Sequence, residues 1–185
     1  MHVNKRYAET EPHLELKIQD SKSRILNFET RNPKLETYMN WSPLETTTHQ
    51  DHVIKHVIGS TVLGWFIAGE AAHLLLDIGF LWTIYLDAEM NLLPQGVAIP
   101  ELDSDMVNGA DKTELAFDAQ LLLSEGRHAS GLKLFTAAPA QCLISEVELF
   151  SRDANRQLLI RGEVIDVVVE TSLEDGQVTI RTRST

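Results

Sequence analysis

The stretch TVLGWFIAGEAAHLLLDIGFLWTIYLD, residues 61–87, decides the architecture. It is the most apolar part of the chain, and its two breaks, Gly69-Glu70 and Ile78-Gly79, are glycine-containing pairs. Such pairs suit tight hairpins, so the spacing predicts strands over 61–68, 71–77 and 80–87. With a two-residue turn at Ile78-Gly79, His73, Leu75 and Asp77 share a face with Phe80, Trp82 and Ile84. Ala72, Leu74 and Leu76 then share the other face with Leu81, Thr83 and Tyr85. Both faces are apolar, and a sheet of that kind must be covered on both sides by helices, a second sheet or another subunit. Few strong helix signals accompany it, so a second sheet or a second copy is expected, and with the latter a homodimer. A membrane span needs ~20 nearly uninterrupted apolar residues. Glu70, His73, Asp77 and Asp87 interrupt this one, which makes it a soluble core.

Toward the amino terminus, residues 1–12 are polar and expected to be flexible, ahead of a single α+β domain over 13–185. Residues 13–19 alternate, with Leu14, Leu16 and Ile18 on one side, and 25–29 can return as a second strand. Ser42-Pro43-Leu44-Glu45 combines a cap residue, a first-turn proline and a glutamate, which predicts a helix start. Thr48 with Asp51 offers a later start, and Gly59 ends the helix either way. At about 100° per residue, Val53, Ile54, Val57 and Ile58 fall on its buried side.

Toward the carboxyl terminus, Pro94, Pro100 and several acids mark 93–108 as a surface connection. Asp111-Lys112-Thr113-Glu114 then reads as a capping box for a second helix carrying Leu115, Ala119, Leu122 and Leu123 as far as Gly126. Alternating stretches at 132–136, 143–151, 157–171 with a break near Gly162, and 177–182 complete the pattern. The fold class is α+β, a mostly antiparallel sheet with two main helices.

Composition narrows the partners. The 185 residues carry a formal net charge of −11, which repels both a phosphate backbone and an anionic membrane surface. Nucleic acid and membrane are therefore not expected as partners. The first residues lack the apolar stretch of a signal peptide, so a cytoplasmic location is expected. One cysteine, Cys142, rules out an intramolecular disulfide and reads as a small core residue.

The one cluster with ligand chemistry is His49, His52 and His56, preceded by Glu45. On a helix these four share a narrow outward stripe, able to offer nitrogens and a carboxylate to zinc or another divalent transition metal. Neighbouring ligands on one straight helix usually supply two groups to one ion, because a third lies a further turn, ~5 Å, along the axis. His73, Asp77, Asp87, Glu89 and His128 are candidates to complete such a site. Glu70, His73 and Asp77 form a second constellation, in which a carboxylate-oriented histidine would act as a general base. Trp41, Trp65, Trp82, Tyr38, Tyr85 and Phe66 would line a pocket or build a core.

No catalytic motif is legible. The expected function is that of a small, acidic, cytoplasmic, non-enzymatic protein binding a partner or small ligand as a homodimer, with no cofactor. The alternative is a metal-binding protein or metal-dependent hydrolase organised on Glu45, His49, His52 and His56.

Overall fold

A computed structural model describes residues 41–79, 81–85, 99–102, 105–139 and 142–185. The expected strands at 13–19 and 25–29, the flexible segment 1–12, and Tyr38, Phe80, Asp87 and Glu89 lie outside the described residues. Among the described residues are two antiparallel sheets and two α-helices, in keeping with the α+β reading.

The middle of the molecule is the sheet read from residues 61–87. It comprises β2 (Val62–Ala68), β3 (Ala71–Leu76) and β4 (Leu81–Tyr85), joined at its far edge by the short β5 (Thr136–Ala137), in the order β4-β3-β2-β5. The β2–β3 connection is the expected two-residue turn: Ala68 pairs with Ala71, and Gly69 and Glu70 take φ of 56° and 61°. Positive φ at both central positions matches the right-handed twist of the strands.

The β3–β4 connection differs from expectation by one residue. Leu75 faces Leu81 and Leu74 faces Trp82, so Ala72, Leu74 and Leu76 share a face with Trp82 and Ile84. His73 and Leu75 share the other with Leu81, Thr83 and Tyr85. Asp77 lies outside the β3–β4 register and bonds toward β2 instead: its N–H donates to the Thr61 carbonyl, and its carboxylate accepts the Thr61 N–H at 2.9 Å. A one-residue slip exchanges the faces of a strand, but both faces of β4 are apolar and either assignment buries them.

The second sheet runs β1 (Ser42–Leu44), β6 (Ile144–Arg152), β7 (Asn155–Gly162), β8 (Ile165–Ser172) and β9 (Val178–Ser184) in that order. It lies across one face of the middle sheet. Trp65, Leu74, Leu76, Trp82 and Ile84 meet Leu149, Leu158, Ile160, Val167 and Val169 in one buried cluster. Helix α1 (Thr48–Val57) contributes Val53 and Val57 to the same cluster. Helix α2 (Gly109–Glu125) covers the opposite face, where Leu115, Ala119 and Leu122 pack on Phe66, Leu75, Leu81 and Phe135. Ile99, Leu102 and Val107 are buried in this second cluster, so those described residues of 93–108 are core and not surface connection. The two faces of the middle sheet are thus filled from within the chain, one by a sheet and one by a helix.

Three local expectations are corrected. Ser42-Pro43-Leu44 is a strand and not a helix start: it pairs with Ser151, Phe150 and Leu149 at the sheet edge, where a proline without an N–H is tolerated. The helix begins instead at Thr47, whose hydroxyl accepts the Gln50 N–H while the Gln50 side chain accepts the Thr47 N–H. Helix α2 likewise starts earlier than its internal capping box, at Asn108, whose side-chain oxygen accepts the N–H groups of Ala110 and Asp111. The expected strand at 132–136 is reduced to Thr136–Ala137.

Close approach of α2 to the middle sheet depends on Gly64. A β-carbon there would lie 2.8 Å from both the Thr136 carbonyl oxygen and a Leu122 methyl, and 3.4 Å from the Phe135 ring. Alanine normally improves a strand over glycine by about 0.5–1 kcal/mol. Here the backbone oxygen of Thr136 has to move, and overpacking of this kind costs about 1–3 kcal/mol. Gly64→Ala is expected to lower the urea midpoint at unchanged m-value; a stabilised variant would show that α2 does not sit this close.

Candidate functional site

The histidine stripe lies where periodicity placed it. His49, His52 and His56 are all exposed on α1, while Val53 and Val57 point inward. Glu45 is not on the helix; it follows β1 at the edge of the five-stranded sheet, beside Val147 and Glu148. The rings of His52 and His56 stand edge to face, 4.5 Å between centroids, and His56 Nδ1 lies 2.7 Å from the His52 carbonyl oxygen. Among the described residues, no three His, Cys, Asp or Glu side chains form a group that could hold a metal ion.

The Glu70, His73 and Asp77 constellation is not assembled. Glu70 sits in the β2–β3 turn and Asp77 is exposed, capping Thr61, whereas His73 is fully buried in β3. His73 stacks on Phe66 at 4.6 Å, with Nδ1 3.0 Å from the Thr83 hydroxyl and Nε2 3.2 Å from the Ala68 carbonyl. A carbonyl only accepts, so Nε2 carries the proton and Nδ1 accepts from Thr83. With both nitrogens engaged, this is a satisfied core histidine and not a general base. Desolvation by burial lowers its pKa from the ordinary 6.5, with the Ala68 bond working in the opposite direction.

Cys142 is buried in the inter-sheet cluster, and its thiol donates to the Pro139 carbonyl at 3.5 Å. Burial, with the nearby Asp166 charge adding to it, pushes its pKa up to about 11. Little thiolate forms near neutrality, so the residue is a core group. The aromatic residues are divided among layers. Trp65 and Trp82 lie between the sheets, and Phe66 lies under α2. Trp41 packs on Phe150, Leu159 and Val168 on the outer face of the five-stranded sheet, beneath the Arg152 guanidinium at 4.5 Å.

Two features of α2 were missed from sequence. Asp118 is fully buried between Leu115 and Ala119, and its Oδ2 accepts the N–H groups of Lys133, Leu134 and Phe135 at 2.7–2.9 Å. These donors would otherwise have served a strand ladder, which is why the expected strand shortens. The signal was present as a carboxylate set in the stripe Leu115, Ala119, Leu122. The second feature is an open groove of about 500 Å³ between α2 and the β3–β4 edge. Leu75, Leu81, Ile99, Ala116, Ala119 and Leu123 supply apolar walls, and the polar side chains of its described lining are Gln120 and Ser124. Its signal was the run Leu121-Leu122-Leu123, since three successive helical residues cannot all face one core. Leu122 is buried, whereas Leu123 and Phe117 are 45% and 52% exposed.

The pH dependence of stability tests the His73 assignment. Its folded pKa lies below the unfolded value of 6.5, so the unfolded chain binds the extra proton first and stability declines as pH falls through 6.5. The slope from one such group reaches at most about 1.4 kcal/mol per pH unit. His73→Gln, which keeps a donor for Ala68 but does not titrate, is expected to flatten the decline measured by urea unfolding from about pH 7 to pH 5.5. An unchanged slope would place the responsible group elsewhere. Comparison with family models, curated proteins and solved structures finds no match for this chain, so its functional reading rests on its own geometry.

Proposed function

We propose that this is a non-enzymatic binding protein that receives the apolar side chains of a protein partner in the groove between α2 and the β3–β4 edge. The observation that carries the reading is the groove itself: an apolar trough whose described lining holds no ionisable side chain, rimmed by large exposed residues. Leu123 on one side and Ile78 in the β3–β4 turn, 45% and 49% exposed, extend the apolar surface beyond the groove. Contiguous apolar surface of this kind marks interaction sites. An open trough with such a rim suits a protein surface better than an enclosed small molecule, although its volume also admits a small apolar ligand.

The partner is a second copy of this chain, which makes the protein a homodimer in the reducing cytoplasm. Helix α2 spans about 25 Å at 1.5 Å per residue, long enough to form the centre of a two-fold contact. The middle sheet is covered on both faces from within the chain, so the groove and not the sheet offers the dimer contact. The non-enzymatic reading is supported by the candidates that chemistry would have used. His73 has both nitrogens engaged, and the Cys142 thiol is buried and protonated.

Sedimentation equilibrium of the whole chain tests this. A dimer at micromolar concentration is expected, tightening as salt screens the repulsion between two chains of −11 each. Leu123→Glu, at an exposed position, should leave stability nearly unchanged and shift the population to monomer by at least about tenfold in dissociation constant. A wild-type monomer at high micromolar concentration, or a dimer indifferent to Leu123→Glu, would contradict the proposal.

A further inference from the structure

We propose that His52 and His56 form a two-nitrogen site for a divalent transition metal of the zinc or nickel class on the exposed face of α1. This is independent of the groove and involves none of its residues. Residues four apart on a helix stand one above the other, and here the two rings are in contact at 4.5 Å between centroids. Two imidazole nitrogens bound about 2.1 Å from one tetrahedral ion lie about 3.4 Å apart, so two rings must stand side by side, as these do, to share it.

The hydrogen bond to the helix backbone adds a second argument. His56 Nδ1 is 2.7 Å from the His52 carbonyl oxygen, which can only accept. The proton therefore sits on Nδ1, and Nε2 keeps the lone pair that a metal requires. Metal-binding histidines are commonly held this way, with one ring nitrogen donating to a carbonyl or carboxylate while the other ligates. The bond thus orients the His56 ring and selects its tautomer.

The four-residue set read from sequence narrows accordingly. Glu45 belongs to the chain after β1 and not to the helix stripe. His49 stands seven residues from His56, two turns away, so an ion held by His52 and His56 leaves it about one turn distant. Water fills the remaining coordination positions, and the net charge of −11 favours cation approach.

Calorimetric titration of the full chain with zinc chloride and with nickel chloride, at a fixed pH of about 7.5 because metal affinity depends on pH, tests the site. The expected result is uptake that weakens about tenfold or more in His52→Ala and in His56→Ala, since each removes one arm of the chelate, and less than about threefold in His49→Ala. All three positions are exposed, so the variants retain the fold. No uptake by the wild-type chain would overturn the proposal. So would uptake that survives the double variant His52→Ala/His56→Ala, or that His49→Ala abolishes equally.

Discussion

The structure depends on covering both faces of one three-stranded meander. Leu74 and Leu75 are adjacent in β3 and point in opposite directions, yet both are buried. One packs in the cluster between the sheets and the other in the cluster under α2. Burial of each such side chain contributes about 1.5–3 kcal/mol, and each layer covers several of them, so loss of either layer would cost an amount comparable to the net stability of a small domain. The five-stranded sheet and α2 are therefore positioned by the same constraint acting on opposite sides.

Polar groups at the margins of this core act as fasteners. Asp118 ties the chain before β5 to α2 through three backbone N–H groups, and its Oδ1 has no hydrogen-bond partner among the described residues. Asp77 anchors the β3–β4 turn to the start of the middle sheet. On the outer face of the five-stranded sheet, Arg183 meets the buried Asp166 at 2.9 Å, and Arg161 meets Glu148 at 2.7 Å. On the same face Trp41 packs against Phe150, Leu159 and Val168, which are buried.

Much of this was legible in the sequence where local chemistry and burial agree. Gly69-Glu70 set the first hairpin, the break near Gly162 separated β7 from β8, and the periodicity of α1 turned its histidines outward. Reading failed where a distant partner competes with a local signal. Ser42-Pro43-Leu44-Glu45 carries helix-start chemistry, but its backbone pairs with residues more than a hundred positions later. Leu132 to Phe135 alternate suitably for a strand, yet three of their N–H groups go to a carboxylate on α2. The histidine cluster was visible as a composition, whereas the contact of only two rings and the tautomer of one needed coordinates. The groove was hidden because it joins residues of α2 to others up to 49 positions earlier, from Leu75 to Ser124.

Native-state hydrogen exchange tests the central claim, that the meander is the middle layer of one continuous core. Amides of β3, bonded to strands on both sides and covered on both faces, should exchange only through global unfolding, with an opening free energy equal to that from denaturant titration. Exchange of Leu74 and Leu75 through openings well below the global value, while β7 and β8 stay protected, would contradict the account. It would mean that the two sheets come apart as separate units.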